Sequence, residues 1–348
     1  MTLPSPPAPQ TVLVTGGAGY IGSTVCSALE ERGHTPVVLD SLVQGREEFT
    51  RGRAFYRGDI AEPAVVNRVL DEHPQISAVI HLAALIVVPE SVAQPARYYH
   101  ANVTGALTLF ETLIGRGVRQ LIFSSSAAVY DTTDTTAVSE DSPLRPQSPY
   151  ARTKAMTEQV MEDLCRAGGA RGIALRYFNP VGADPALRSG PYLPGPSHVL
   201  GRIMEAAAGR APQFRVTGTD FPTRDGTDLR DYIHVWDLAQ AHVQAVEHFG
   251  QVFGRAAAQG LDDTFVPINV GTGHGVTVRE LVAAFEHVSG QALAAADAPR
   301  RPGDPAGACA VIGRARALLE WAPRRTTEQA IRDALAWDAH RPSVLTGF

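Results

Sequence analysis

The 348-residue chain has only three cysteines, Cys26, Cys165 and Cys309, and they are scattered. They show neither a metal-ligand spacing nor a disulfide pattern, which fits a reducing compartment. Eleven histidines are present, yet there is no HExxH and no paired Cys/His spacing, so nothing points to a metal. No apolar run is long enough to span a membrane. The first ten residues, MTLPSPPAPQ, lack the basic start and apolar stretch of a secretory leader and read as a disordered, Pro-rich tail. The net charge of -5 leaves no basic footprint for nucleic acid. Internal repeats are missing, as is low complexity beyond the tail. These absences leave a cytoplasmic globular protein. Its length allows a large core, as two domains or as one domain with a lobe.

What is there begins at TVLVTGG, a β-branched run that ends in glycine. Helical periodicity follows through Ile21, Val25, Ala28 and Leu29, and HTPVVLD is the next strand. Further runs, AVIHLAA, QLIFSSS and IALRYFNP, alternate with helical stretches. The expectation is an α/β fold, a doubly wound parallel sheet of Rossmann type with a smaller, mixed C-terminal lobe. Residues 11–180 would form the dinucleotide-binding part and 181–340 the lobe, with a helix at about 235–249 returning to pack on the sheet.

In the first turn, GGAGYIG, Gly16, Gly19 and Gly22 recur every third residue rather than as G-x-G-x-x-G. Glycines there permit a tight turn and close backbone approach to a pyrophosphate at a helix N-terminus. Asp40 ends the second strand, where a carboxylate would hold adenosine ribose hydroxyls and repel a 2′-phosphate, favouring NAD over NADP. In GDI, Asp59 and Ile60 would frame the adenine.

SPYARTK then gains meaning. Ser148 is a good N-cap and Pro149 suits the first helical position, so Tyr150 and Lys154 share one helical face. Beside a nicotinamide, a base must take the proton of the hydroxyl being oxidised. A tyrosine is a poor base unless its pKa falls, and the Lys154 ammonium with the cationic nicotinamide would lower it. Ser126, in SSSAAVY, could hold the substrate oxygen or relay the proton.

TGGAGYIG, HLAA, SSS and YARTK together resemble the extended short-chain dehydrogenase/reductase family. YYHANVTGAL, PQSPYARTK, LRYFNPVGA, DGTDLRDYIHVWDLA and PRRPGD follow in the order of the branch that epimerises UDP-hexoses at C4. The resemblance covers about residues 11 to 340. It implies that Tyr150 is base and then acid, that Lys154 tunes it and that Ser126 moves the proton. It implies NAD contacts from Tyr20, Ile21, Leu82, Ala83, Ala84, Ser124 and Tyr177, with Asn102 holding the adjacent helix to the cofactor region. For the UDP-sugar it implies Arg230 and Arg301 at the pyrophosphate, Asp304 at the ribose, and Asn179, His198, Thr217 and Ala308 around the rest. It also implies a homodimer, built on Met156, Val160 and Leu164 with Leu109 and Leu113. Read residue by residue, that stripe is core. His234 reads as packing.

The dehydratase branch takes an acid and a base from the two positions after the serine; here these are Ala127 and Ala128. The decarboxylase branch has a Glu near there. A non-catalytic NAD-binding sensor would need no Ser126, Tyr150 and Lys154 together. Four positions depart from the epimerase pattern. Ile86 replaces a Lys near the cofactor phosphates, and Pro89 replaces a Gly. Thr217 stands where a Phe stacks near uracil, and Ala308 takes the place of a gate residue. A small gate goes with N-acetylhexosamines, so UDP-GlcNAc and UDP-GalNAc are candidate substrates beside UDP-glucose and UDP-galactose.

Overall fold

Alternate residues of the strand Thr11–Thr15 enter two different cores. Val12 and Val14 join Ile80, Ile122, Ile173 and Leu175 on one face of a sheet, while Leu13 joins Val79, Leu121 and Phe123 on the other. A strand buried on both faces must be apolar throughout, which is why TVLVT carries no alternation of polarity. The computed structural model describes residues 8–132, 136–300 and 306–346. Seven parallel strands form the main sheet. From edge to edge they are Phe265–Val270, Arg171–Tyr177, Gln120–Ser124, Ile76–His81, Thr11–Thr15, Thr35–Asp40 and Ala54–Arg57. Chain order reverses at Thr11–Thr15, and the crevice at that switch point, off the C-terminal strand ends, is where such sheets bind ligands.

Helices Tyr20–Glu31 and Val235–Glu247 pack together and cover the first face. Helices Pro63–Glu72, Gly105–Gly115 and Pro149–Gly168 cover the second. Two strands of this sheet went unread in the sequence: Ala54–Arg57 is only four residues long, and Phe265–Val270 carries Pro267 in its middle. Proline has no ladder donor, and an edge strand tolerates it.

The smaller lobe is mixed. Val276–Thr277, Leu229–Arg230, Gly307–Ala310 and Ala137–Val138 form one short sheet, with antiparallel and parallel pairs. Asn179–Val181 pairs with Tyr232–His234, and Phe214–Thr217 with Ala295–Ala298. Helices Val199–Ala207, Val278–Ser289 and Thr327–Val344 close a separate core around Leu281, Phe285 and Ile331. Among the described residues no helix is long and apolar enough to cross a membrane, and no His/Cys/Asp/Glu cluster could hold a metal ion.

The proposed core stripe needs correction. Leu109 and Leu113 are fully buried, but Met156 is 40% exposed. Val160 and Leu164 are half-buried, Leu164 still packing against the core on the second face.

Candidate active site

At the first turn the backbone leaves no room for side chains. Gly16 has φ +74, and a Cβ there would stand 2.7 Å from the Ala83 nitrogen. A Cβ on Gly22 would collide with the Gly16 carbonyl oxygen. Gly19, the N-cap of Tyr20–Glu31, offers no side-chain cap. The first N–H groups of that helix therefore face outward unspent, which suits an anion. Asp40 accepts from Ala18 N at 3.0 Å and Leu42 N at 2.8 Å, fixing the turn and the loop that follows. Burial raises its pKa, and those two bonds pull it back. These features fit a dinucleotide: a cradle that side chains would fill, an uncapped helix, and a carboxylate with lone pairs to spare.

The other expected contacts divide. Leu82 N donates to Thr15 O at 3.0 Å, so Leu82, Ala83 and Ala84 run along the strand ends beside the glycines. Ile21 packs on the core. The Tyr20 hydroxyl is spent on the Gly182 carbonyl at 2.6 Å and ties the turn to the lobe. Asp59 is exposed and accepts from Ala61 N at 2.9 Å, while Ile60 is buried in the core. Asn102 Nδ2 donates to Leu85 O and Thr153 Oγ1, both at 3.0 Å, and its Oδ1 accepts from Leu85 N at 2.8 Å. It thus clamps Leu85, which packs with Tyr98 against the Tyr150 ring, to the helix of Tyr150.

That helix, Pro149–Gly168, starts as its sequence dictates. Ser148 Oγ accepts from Ala151 N at 3.2 Å, and Pro149 takes the first turn. Tyr150 and Lys154 both face inward, 8% and 2% exposed. Lys154 Nζ donates to Ser124 O at 2.8 Å and lies 4.8 Å from the centre of the Phe123 ring. Ser126 caps the short turn Ala127–Val129, its Oγ accepting from Ala128 N at 3.2 Å, and its hydroxyl lies close enough to the Tyr150 phenol to favour the phenolate. Beneath them, His81 stacks on Phe123 and pairs with Thr15 Oγ1 at 2.8 Å.

The electrostatics correct one expectation. In the protein by itself the Tyr150 pKa is raised, because burial outweighs the pull of the Ser126 hydroxyl. Burial pulls Lys154 down to about 7, with Glu158 opposing. Its ammonium is aimed at a backbone carbonyl and not at the phenol, so Lys154 does not by itself make Tyr150 acidic.

In the lobe, Arg230 and Ala308 are register partners on adjacent parallel strands. Arg230 pairs with Asp228 at 2.8 Å. Asn179 reaches Asp231 O through Nδ2 at 3.3 Å, so these three stand together. Thr217 ends a different strand, opposite Ala298. His198 caps the helix Val199–Ala207, its Nδ1 accepting from Gly201 N at 3.1 Å. Arg301 and Asp304 lie outside the described residues. His234 packs as read: it caps Val235–Glu247 and pairs with Asp333 at 3.0 Å. Ile86 is 49% exposed, and Pro89 opens the helix Val88–Ala93.

Several buried polar groups were missed. Asp231 accepts from Thr272 N and Oγ1, Gly273 N and Ala310 N, pinning the strand of Arg230 to that of Ala308. Glu158 pairs with Arg176 at 2.6 Å, accepts from Ser125 Oγ, and stands one turn beyond Lys154. Its spacing from Lys154 was the available signal. His242, fully buried on the helix Val235–Glu247, was missed as well.

The whole can hold a dinucleotide and, beside it, move a proton. A model of the NAD dependent epimerase/dehydratase family matches residues 12–255. The UDP-glucose 4-epimerase of Azospirillum brasilense is 42% identical over 94% of this chain and 91% of its own length. Among solved structures, the UDP-glucose-4-epimerase of Stenotrophomonas maltophila, with bound NAD and formylated UDP-arabinopyranose, superimposes with a TM-score of 0.89. It is 38% identical, over 97% of this chain and 100% of that one. The UDP-Glc/GlcNAc 4-epimerase of Campylobacter jejuni gives 0.80 at 34% identity, over 95% and 99%. The chain belongs to the NAD dependent epimerase/dehydratase family.

Proposed function

We propose that this protein inverts C4 of a UDP-hexose, interconverting UDP-glucose and UDP-galactose, with NAD as a retained cofactor. The observation that carries this is Ser126 at the phenol of Tyr150, with Lys154 one turn on, all beside the glycine cradle. Ala127 and Ala128 follow Ser126, and neither side chain can transfer a proton to eliminate water or drive decarboxylation.

Gly16, Gly19, Tyr20, Ile21 and Gly22 would hold the cofactor pyrophosphate, Asp40 its adenosine ribose, and Asp59 with Ile60 its adenine. Leu82, Ala83, Ala84, Ser124 and Tyr177 would border the nicotinamide. Bound NAD supplies the acceptor, and afterwards the donor, of the C4 hydride. Tyr150 takes the C4 hydroxyl proton as the hydride leaves and returns it when the hydride comes back to the opposite face. Ser126 orients the phenol and the sugar oxygen. Lys154 keeps two N–H groups free of Ser124 for the nicotinamide ribose. The cationic nicotinamide lowers a phenol pKa that burial alone raises.

Between the two transfers the 4-keto sugar must turn over while its nucleotide stays bound. That assigns the lobe, residues 181–340, to the UDP end. Arg230 and Arg301 suit two phosphates by their forked donors. Asp304 takes the ribose hydroxyls, and Asn179, His198 and Thr217 the remaining contacts.

Ala308 puts only a methyl at the sugar, which supports turnover of UDP-GlcNAc and UDP-GalNAc as well. The 40% exposed Met156 supports a homodimer through the helix Pro149–Gly168. We place the protein in the cytoplasm.

The test is to incubate the pure protein with each of the four UDP-sugars, without added cofactor, and follow the products by NMR. UDP-glucose from UDP-galactose is the expected result. A 4-keto-6-deoxy sugar, released CO2 or no reaction by NAD-loaded protein would overturn the reading. Failure with the N-acetylated pair alone would remove only the role of Ala308.

A further inference from the structure

His242 is fully buried on the helix Val235–Glu247, on the side packed against the sheet. Its Nδ1 lies 2.9 Å from the Leu238 carbonyl oxygen and its Nε2 2.7 Å from Ser124 Oγ. A carbonyl oxygen only accepts, so Nδ1 carries the proton. Burial holds the ring neutral, its pKa down to about 4, and Nε2 is therefore an acceptor. The Ser124 hydroxyl must donate to it. Donation thus runs one way, from Ser124 to His242, and the histidine ends on Leu238. Ser124 also offers its carbonyl to Lys154 Nζ at 2.8 Å.

We propose that His242 is a positioning residue: by fixing the Ser124 hydroxyl it holds the strand end whose carbonyl Lys154 grips, and so sets where the Lys154 ammonium stands. This rests on the reading of Lys154 as a ligand of the nicotinamide ribose.

Two substitutions separate positioning from mere packing. His242→Gln sets an amide oxygen near the place of Nε2 and keeps an acceptor for Ser124. His242→Asn is shorter and leaves a donor near Leu238 but no acceptor for Ser124. Both lose comparable packing, so their melting temperatures fall together. The expected result is that His242→Gln keeps bound NAD and turnover within about threefold of the unaltered protein. His242→Asn should lose roughly tenfold in turnover, the worth of about one well-made hydrogen bond, and part of its NAD content. Equal behaviour of the two variants, whether both are impaired or both normal, would overturn the proposal.

A second measurement needs no variant. The 15N spectrum of histidine-labelled holoprotein should show a neutral His242 protonated on Nδ1; an Nε2-protonated or cationic ring contradicts the chain of donors. NAD content and tautomer are both read without an epimerisation assay. Loss of the proposed reaction would therefore not decide this inference.

Discussion

Tyr150 and Lys154 share one helical face because one turn separates them, whereas Arg230 and Ala308 meet only because two short strands pair. The same contrast divides the molecule. Around the first turn, short sequence stretches carry the site: three glycines, a strand-end acid, a serine run and a helix start. In the lobe, the two-residue strand of Arg230 is paired with the strand of Ala308 from a distant segment, with Asp231 as the pin. Backbone geometry dictates the first region, and side-chain assembly the second. Damage to each should therefore look different.

The largest effect is expected at the first turn. Gly22→Val drives a side chain into the Gly16 carbonyl, which cannot move without opening the turn. We expect a loss of ~4 kcal/mol or more, of the kind a core clash produces, and protein that purifies without NAD. Arg230→Ala, in the lobe, should leave NAD content and melting temperature near normal and raise KM for UDP-galactose roughly tenfold or more. Extracted dinucleotide, thermal melts and steady-state kinetics on both variants check the pair. If Arg230→Ala lost its NAD as well, the two regions would not be separable in this way.

A smaller effect concerns pH and belongs to the sheet half. Burial holds His81 down to about 3, with Lys154 adding to it, and His242 down to about 4, against 6.5 for a free histidine. Unfolded chain therefore binds more protons than folded chain below about pH 6.5, and stability falls as pH drops toward 4. Lys154, lowered from 10.5 to about 7, acts in the same direction between those values. Melting temperature should decline as pH falls from 7 to 5, and His242→Gln should flatten that slope. A slope unchanged in His242→Gln would mean that this histidine is not neutral in the fold.

Much of the sheet could be read from the chain, because strands buried on both faces are written as apolar runs and helices begin with caps such as Ser148. Phe265–Val270 escaped because Pro267 argues against a strand unless one knows it lies at an edge. Met156 was read with the core because a period shows which residues share a face, not what covers it. Tyr150 and Lys154 were visible as a pair. The direction of their pKa shifts was not, since desolvation depends on everything packed around them. Asp231, Glu158 and His242 were missed for the same reason: a buried polar residue is defined by partners that only the fold supplies.

In the proposed reaction one phenol carries the proton while NAD carries the hydride. Tyr150→Phe tests it most directly, because it removes the hydroxyl and little else. Measured on NAD-loaded protein with UDP-galactose, turnover should drop by about 10² to 10⁴ while NAD content stays unchanged. Turnover within a factor of a few of the unaltered protein, with NAD still bound, would contradict the account.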